Sequence, residues 1–169
     1  MDVEKILAPM DYSDDSQQAL QWGASLAGKY GARLLLLHVI PKAVEQVIPE
    51  GAGFVSPTSS FSEGMAVGSQ PLGRQPIIVD LVDRAQTELH DFADKHLKKA
   101  VAMQVRAAVG KPAEEILRLA REEKVDLIVM GTHRRTGARH LLLGSVAEEV
   151  TRHAPCPVFT VRSGRDAAA

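Results

Sequence analysis

Apolar positions recur along this chain in two rhythms, a short continuous run and a helical spacing, and the two alternate. Lys5–Pro9 (KILAP) is apolar and ends at proline, as a buried strand does. Ser13 to Tyr30 reads as a helix: Ala19, Leu20, Ala24 and Ala27 share a face, Ser13 or Asp14 caps it, and Gly31 stops it. Arg33–Ile40 (RLLLLHVI) is apolar almost throughout, which predicts a strand covered on both faces. Ile77–Lys99 returns to helical spacing, with Leu81, Ala85, Leu89, Phe92, Ala93 and Leu97 inward and Glu88, Asp91, Asp94 and Lys95 outward. Met103–Val109 and Val125–Met130 are further strands, separated by a helix over Ala113–Glu123 that tolerates Pro112 at its start. A helix from Gly144 to about His153 and a strand over Pro157–Val161 complete the series.

Residues 42–77 break the rhythm. They contain Pro49, Pro57, Pro71 and Pro76, with glycines and serines and little periodicity. A stretch this long is no routine connection, so it is expected to be a flexible insertion, either a flap over the site or without fixed structure. The remaining order, strand then helix repeated to a final strand, predicts an α/β fold: an open five-stranded parallel sheet with helices on both faces and right-handed crossovers. Ligands of such sheets sit beyond the carboxyl ends of the strands, where the strand order reverses. Two segments lie at such ends, APMDYS after the first strand and GTHRRTG after the fourth.

The bulk numbers narrow the class. With 169 residues, 45% hydrophobic and 4% aromatic, the chain suits one domain, assigned to residues 1–165 with a tail at 166–169. A formal net charge of −1 gives no basic field to attract nucleic acid. Cys156 is the one cysteine, so no internal disulfide framework is expected, which fits a reducing compartment. The N-terminal segment carries acids and no long apolar run, and no stretch reaches the roughly 20 apolar residues of a membrane span. A cytoplasmic protein, with no membrane partner, is the expectation.

The chemistry gathers in GTHRRTGARHLLLGS, residues 131–145. A helix beginning at Gly144-Ser145 offers unpaired backbone N–H groups and the positive end of its dipole to an anion. Ser145 and Glu148 also have the spacing of a capping box, which explains Ser145 without a ligand. Gly131 allows close approach of a ligand to the backbone, or serves as a turn glycine. Asp11 suits a ribose hydroxyl or an indirect magnesium contact, or else a helix cap. Val39 lines an adenine pocket or belongs to the core. No GxxxxGK[ST] or GxGxxG is present, nor a GxSxG elbow. His133, His140, His153 and Cys156 lack paired-ligand spacing, so no metal site is expected. His153 is assigned to its helix terminus and Cys156 to the interior.

KILAPMDYSDDS, LHVI, GKPAEEILRLAREEKVDLIVMGTH and LLLGSVAEEVTRHAPCPVFTV together resemble the universal stress protein family, over nearly the whole chain except 42–77. The resemblance implies strand order 3-2-1-4-5 in an adenine nucleotide alpha hydrolase-like fold, and a homodimer joined through the last strand. It also implies a stress-response module that binds ATP or AMP, with or without magnesium, and at most hydrolyses ATP slowly, so no catalytic residues are assigned. Asp11 would face the ribose and phosphates and Val39 the adenine, with Pro9 and Met130 also among the nucleotide-binding residues. Gly131, Thr132, His133, Gly144, Ser145 and Val146 would lie along the phosphates. The nucleotide-binding branch has Gly-x-x-Gly, nine residues, then Gly-Ser/Thr, and here Arg134 stands at the second glycine. If that position needs positive φ, arginine costs about 1–2 kcal/mol, near tenfold in affinity; its guanidinium can also pair with phosphate. The alternative is a family member that binds no nucleotide and acts through contacts with a client protein.

Overall fold

The computed structural model describes residues 2–41, 74–97, 101–132 and 144–163, with side chains in the second of these segments from residue 79. The turns at the two ends of the first helix each have a local cause. Strand β1 (Lys5–Met10) leads into helix α1 (Asp14–Tyr30), whose N-cap is Ser13, its hydroxyl accepting from the Ser16 N–H at 3.2 Å. Gly31, at φ +67°, closes α1 in the left-handed conformation that glycine adopts without strain. β2 (Arg33–Pro41) follows at once, and α2 (Arg74–His96) is the next described element. β3 (Met103–Gly110), α3 (Pro112–Glu122), β4 (Leu127–Gly131), α4 (Ser145–His153) and β5 (Val158–Val161) complete the order.

The five strands form one parallel sheet in the order β3-β2-β1-β4-β5. Side chains of a strand alternate between faces, and here the alternation sorts the core into two layers. Ile6, Ala8, Leu34, Leu36 and Val129 pack under α1 and α2, against Ala19, Leu20, Ala24, Leu89 and Ala93. Leu7, Leu35, Leu37, Ile128 and Met130 pack on the other face, against Ile116, Ala120, Ala147 and Val150 of α3 and α4. The unbroken LLLL of β2 is thus required: both of its faces are covered, and Leu34 to Leu37 are each 2% exposed or less.

Among the boundaries that differ from the sequence reading are the starts of α2, β4 and β5. α2 starts at Arg74, inside the stretch assigned to the insertion. Pro76 does not delay it, because the first-turn N–H groups have no intrahelical partner to lose. Residues 42–73 lie outside the described residues. β4 begins two residues late, because the Asp126 carboxylate turns to accept the N–H groups of Glu4 and Lys5, both at 2.9 Å. β5 begins at Val158, although the Pro157 carbonyl already accepts the Ile128 N–H at 3.0 Å.

Candidate functional site

Chain order reverses between β1, which runs on to β2, and β4, which lies on its other side. Neighbouring crossovers leave the sheet on opposite faces there, and the parting opens a crevice beyond the carboxyl ends. It holds a cavity of about 600 Å³, within the roughly 300–1,000 Å³ common for small-molecule sites. The buried side chains of Leu37, Val39 and Met130 supply an apolar floor. Asp11 and Ser13 from the loop after β1, and Gly131, Ser145 and Val146 from the end of β4 and the start of α4, also line it.

Of the residues singled out from the sequence, Pro9, Asp11, Val39, Met130, Gly131, Ser145 and Val146 line this cavity together. Thr132 and Gly144 are not part of the lining but join each other, the Gly144 N–H donating to the Thr132 carbonyl at 3.0 Å. His133 and Arg134 lie outside the described residues. Pro112 and Ile116, at the start of α3, also line the crevice and were missed. The signal was present: α3 starts at the carboxyl end of β3, on the face that carries Val39.

Three local readings change. Gly144, at φ −71° and ψ 155°, is the N-cap of α4, so Ser145 is the first helical residue and makes no capping box. The Glu148 side chain does not reach back but accepts from Arg152 at 3.0 Å. Gly131 has neither positive φ nor a turn to explain it. A Cβ there would lie 2.8 Å from the carbonyl carbon and Cβ of Asp15 and from the Ser16 nitrogen, so the absent side chain admits the first turn of α1. Asp11 is not the cap either; its carboxylate accepts the N–H and hydroxyl of Ser13, at 3.1 and 2.5 Å, and so steadies the residue that caps α1.

Between Asp11 and Ser13, Tyr12 takes φ +64°, a left-handed conformation uncommon for a bulky residue. Its ring wedges between His38, 5.0 Å away, and Phe92, 5.3 Å away and edge-on. His38 Nδ1 lies 2.8 Å from the Met10 carbonyl, which can only accept, so that nitrogen carries the hydrogen. The Tyr12 hydroxyl is buried with no hydrogen-bond partner among the described residues. Burial, then the charge of Glu88, pushes its pKa above the ordinary 10.0.

The remaining candidate ligands do not gather. His153 Nδ1 lies 3.0 Å from the Glu149 carbonyl, within its own helix. Cys156 packs against the α3–α4 layer, where burial and then Asp126 raise its thiol pKa. His140 lies outside the described residues. Among the described residues no cluster of three histidine, cysteine or carboxylate side chains could hold a metal ion.

An open parallel sheet with this order, and a crevice at the reversal between β1 and β4, is the architecture of small-ligand-binding α/β domains. The universal stress protein family model matches residues 2–162, and the chain belongs to that family. It is 33% identical to a universal stress protein of Methanocaldococcus jannaschii over 160 residues, 94% of this chain and 82% of the relative. Against universal stress protein YxiE of Bacillus subtilis it is 32% identical over 162 residues, 94% of this chain and 98% of the relative. Universal stress protein UspA of Lactobacillus plantarum shares the fold, with a TM-score of 0.67 at 21% identity over 96% of this chain and 99% of that one. So does a universal stress protein solved in complex with cAMP, with a TM-score of 0.59 at 23% identity over 96% and 98%. No helix among the described residues is long and apolar enough to cross a membrane.

Proposed function

We propose that this universal stress protein is a regulatory module that binds an adenine nucleotide, ATP or AMP, in the crevice between the loop after β1 and the start of α4. The observation that carries the reading is the position of Ser145. As the first residue of α4 it lines the cavity that Asp11 also lines, so the N-terminal end of α4 borders the site. Backbone N–H groups and helix dipole there suit phosphate oxygens, while the Asp11 carboxylate in the same crevice suits ribose hydroxyls. The floor of Leu37, Val39 and Met130 suits an adenine ring. The cAMP complex of a similarly folded relative supports an adenine ligand. We read the site as one of binding, with hydrolysis slow at most; steady turnover that disappears in Asp11→Ala would overturn this part.

The test is calorimetric titration of Mg-ATP and AMP into protein stripped of carried-over nucleotide, with Arg134→Gly beside the parent. Saturable binding by the parent is expected below millimolar concentration. No heat up to millimolar with either ligand would sink the proposal. Binding by Arg134→Gly alone would favour the second reading, an interaction module whose phosphate loop is a relic, which Arg134 in the glycine position motivates. Either reading includes a homodimer through β5. That strand is the outer edge of the sheet and exposes Phe159 (41%), which packs edge-on against exposed Trp22 (48%) of α1.

A further inference from the structure

We propose that Asp15 is a positioning residue for the nucleotide crevice, holding Thr132 so that the end of β4 and the start of α4 keep their places on either side of the ligand; this rests on the nucleotide reading above. Asp15 is a buried carboxylate, 4% exposed, which a fold retains only where donors satisfy it. Its Oδ2 accepts from the Thr132 hydroxyl at 3.1 Å. Its Oδ1 accepts the Ser163 N–H at 2.8 Å and the Ser163 hydroxyl at short range. One side chain of α1 therefore ties the residue after β4 to the segment after β5.

Thr132 is gripped through all its polar groups. Its hydroxyl goes to Asp15, its N–H donates to the Val161 carbonyl at 3.0 Å, and its own carbonyl accepts the Gly144 N–H at 3.0 Å. Gly131 on one side of Thr132 lines the cavity, and Gly144 on the other caps the helix that presents Ser145 and Val146. Movement of Thr132 would therefore move both. A simpler account makes Asp15 one more acid favouring the α1 dipole. Exposed Asp14 already serves that end, however, and a dipole contact gives no reason to bury Asp15 against two other elements. The 2.8 Å clearance around a Cβ at Gly131 has the same origin, the first turn of α1 pressed on the end of β4.

The experiment compares Mg-ATP and AMP affinities of the parent, Asp15→Ala, Asp15→Asn, Thr132→Val and the Asp15→Ala/Thr132→Val double variant, each with its thermal midpoint. Asp15→Ala and Thr132→Val should each weaken binding roughly ten- to hundred-fold, the range for residues that orient a ligand shell from behind. The double variant should be no weaker than the worse single one, because the two act through one hydrogen bond. Asp15→Asn should stay within about threefold of the parent, since its oxygen still accepts from Ser163 and its amide can donate to the Thr132 hydroxyl. Leu89→Ala, in the α2 core away from the crevice, supplies comparable destabilisation without loss of affinity. Multiplying losses, failure of Asp15→Asn to retain affinity, or equal weakening by Leu89→Ala would overturn the proposal. Should the parent bind neither ligand, the nucleotide reading falls, and amide exchange at Thr132 and Gly144 decides the rest. Faster exchange there in Asp15→Ala supports the anchoring role, and unchanged exchange overturns it.

Discussion

Adding one methyl group at Gly131 should cost this fold a measurable share of its stability. An alanine Cβ there would sit 2.8 Å from two backbone atoms, the Asp15 carbonyl carbon and the Ser16 nitrogen, and 2.8 Å from the Asp15 Cβ. Carbon atoms in favourable contact lie about 3.5–4.0 Å apart, so α1 and β4 must separate by roughly 1 Å. Rotamer changes cannot absorb this, because none of the three atoms lies at the end of a side chain. Asp15 is moreover tied to Thr132 and Ser163. Overpacking of this kind costs about 1–3 kcal/mol. With a urea dependence of about 1–3 kcal/mol per molar, the midpoint of Gly131→Ala should fall by roughly 1 M. Gly28→Ala is the control: a Cβ there meets nothing within 4 Å and stands in α1, so it should add about 0.5–1 kcal/mol. Urea melts of the three proteins, followed by circular dichroism, give the comparison. Equal shifts for the two alanines, or a Gly131→Ala midpoint at the parent's value, would refute the claim that packing of α1 dictates this glycine.

Three other outcomes are expected. Ser145→Glu places an acid at the first position of α4, where the dipole favours it by about 0.3–1 kcal/mol, so the thermal midpoint should hold or rise. Affinity for Mg-ATP should nevertheless drop at least about tenfold through repulsion of phosphate, and unchanged affinity in the same titration would remove α4 from the site. Phe159→Glu on the exposed edge strand should convert a dimer to a monomer in sedimentation velocity, and a variant that stays dimeric moves the interface elsewhere. Tyr12→Phe should not destabilise at neutral pH, since the hydroxyl it removes is buried without a partner among the described residues. The raised pKa of Tyr12 means the folded state keeps its proton where the unfolded chain, near 10.0, has begun to lose it. Stability from this group is therefore full below about pH 10 and declines above it. The parent should therefore lose urea midpoint relative to Tyr12→Phe between pH 7 and 11, and a constant difference would contradict the assignment.

Strand and helix order was legible because hydrophobic period is a local property that burial in two layers enforces. RLLLLHVI could be read as a doubly covered strand before any partner was known, and Leu34 to Leu37 do divide between the faces. The crevice followed from topology alone, since APMDYS and GTHRRTG had to emerge at carboxyl ends of strands, and β1 and β4 are neighbours across the reversal. What escaped was every feature decided by an approach from elsewhere in the chain. Gly131 was read against turns and ligands, when the atoms excluding a Cβ belong to Asp15 and Ser16, more than a hundred residues earlier. Ser145 and Glu148 carried capping-box spacing, but that pattern is silent on whether the helix begins at the serine or one residue before it.

Asp15 is the sharpest case. In YSDDS, Ser13, Asp14 and Asp15 compete for one helix cap with nearly equal propensity, and local physics cannot rank them. Ser13 takes the cap, Asp14 faces solvent, and Asp15, one residue further round the turn, faces the ends of β4 and β5. About 100° of helical rotation therefore separates an ordinary first-turn acid from a buried carboxylate that accepts from Thr132 and Ser163. That rotation is fixed by the inward stripe of Ala19, Leu20, Ala24 and Ala27, which orients α1 on the sheet. The stripe was plain in the sequence; only with the register of α1 against β4 does it single out Asp15 from its neighbours.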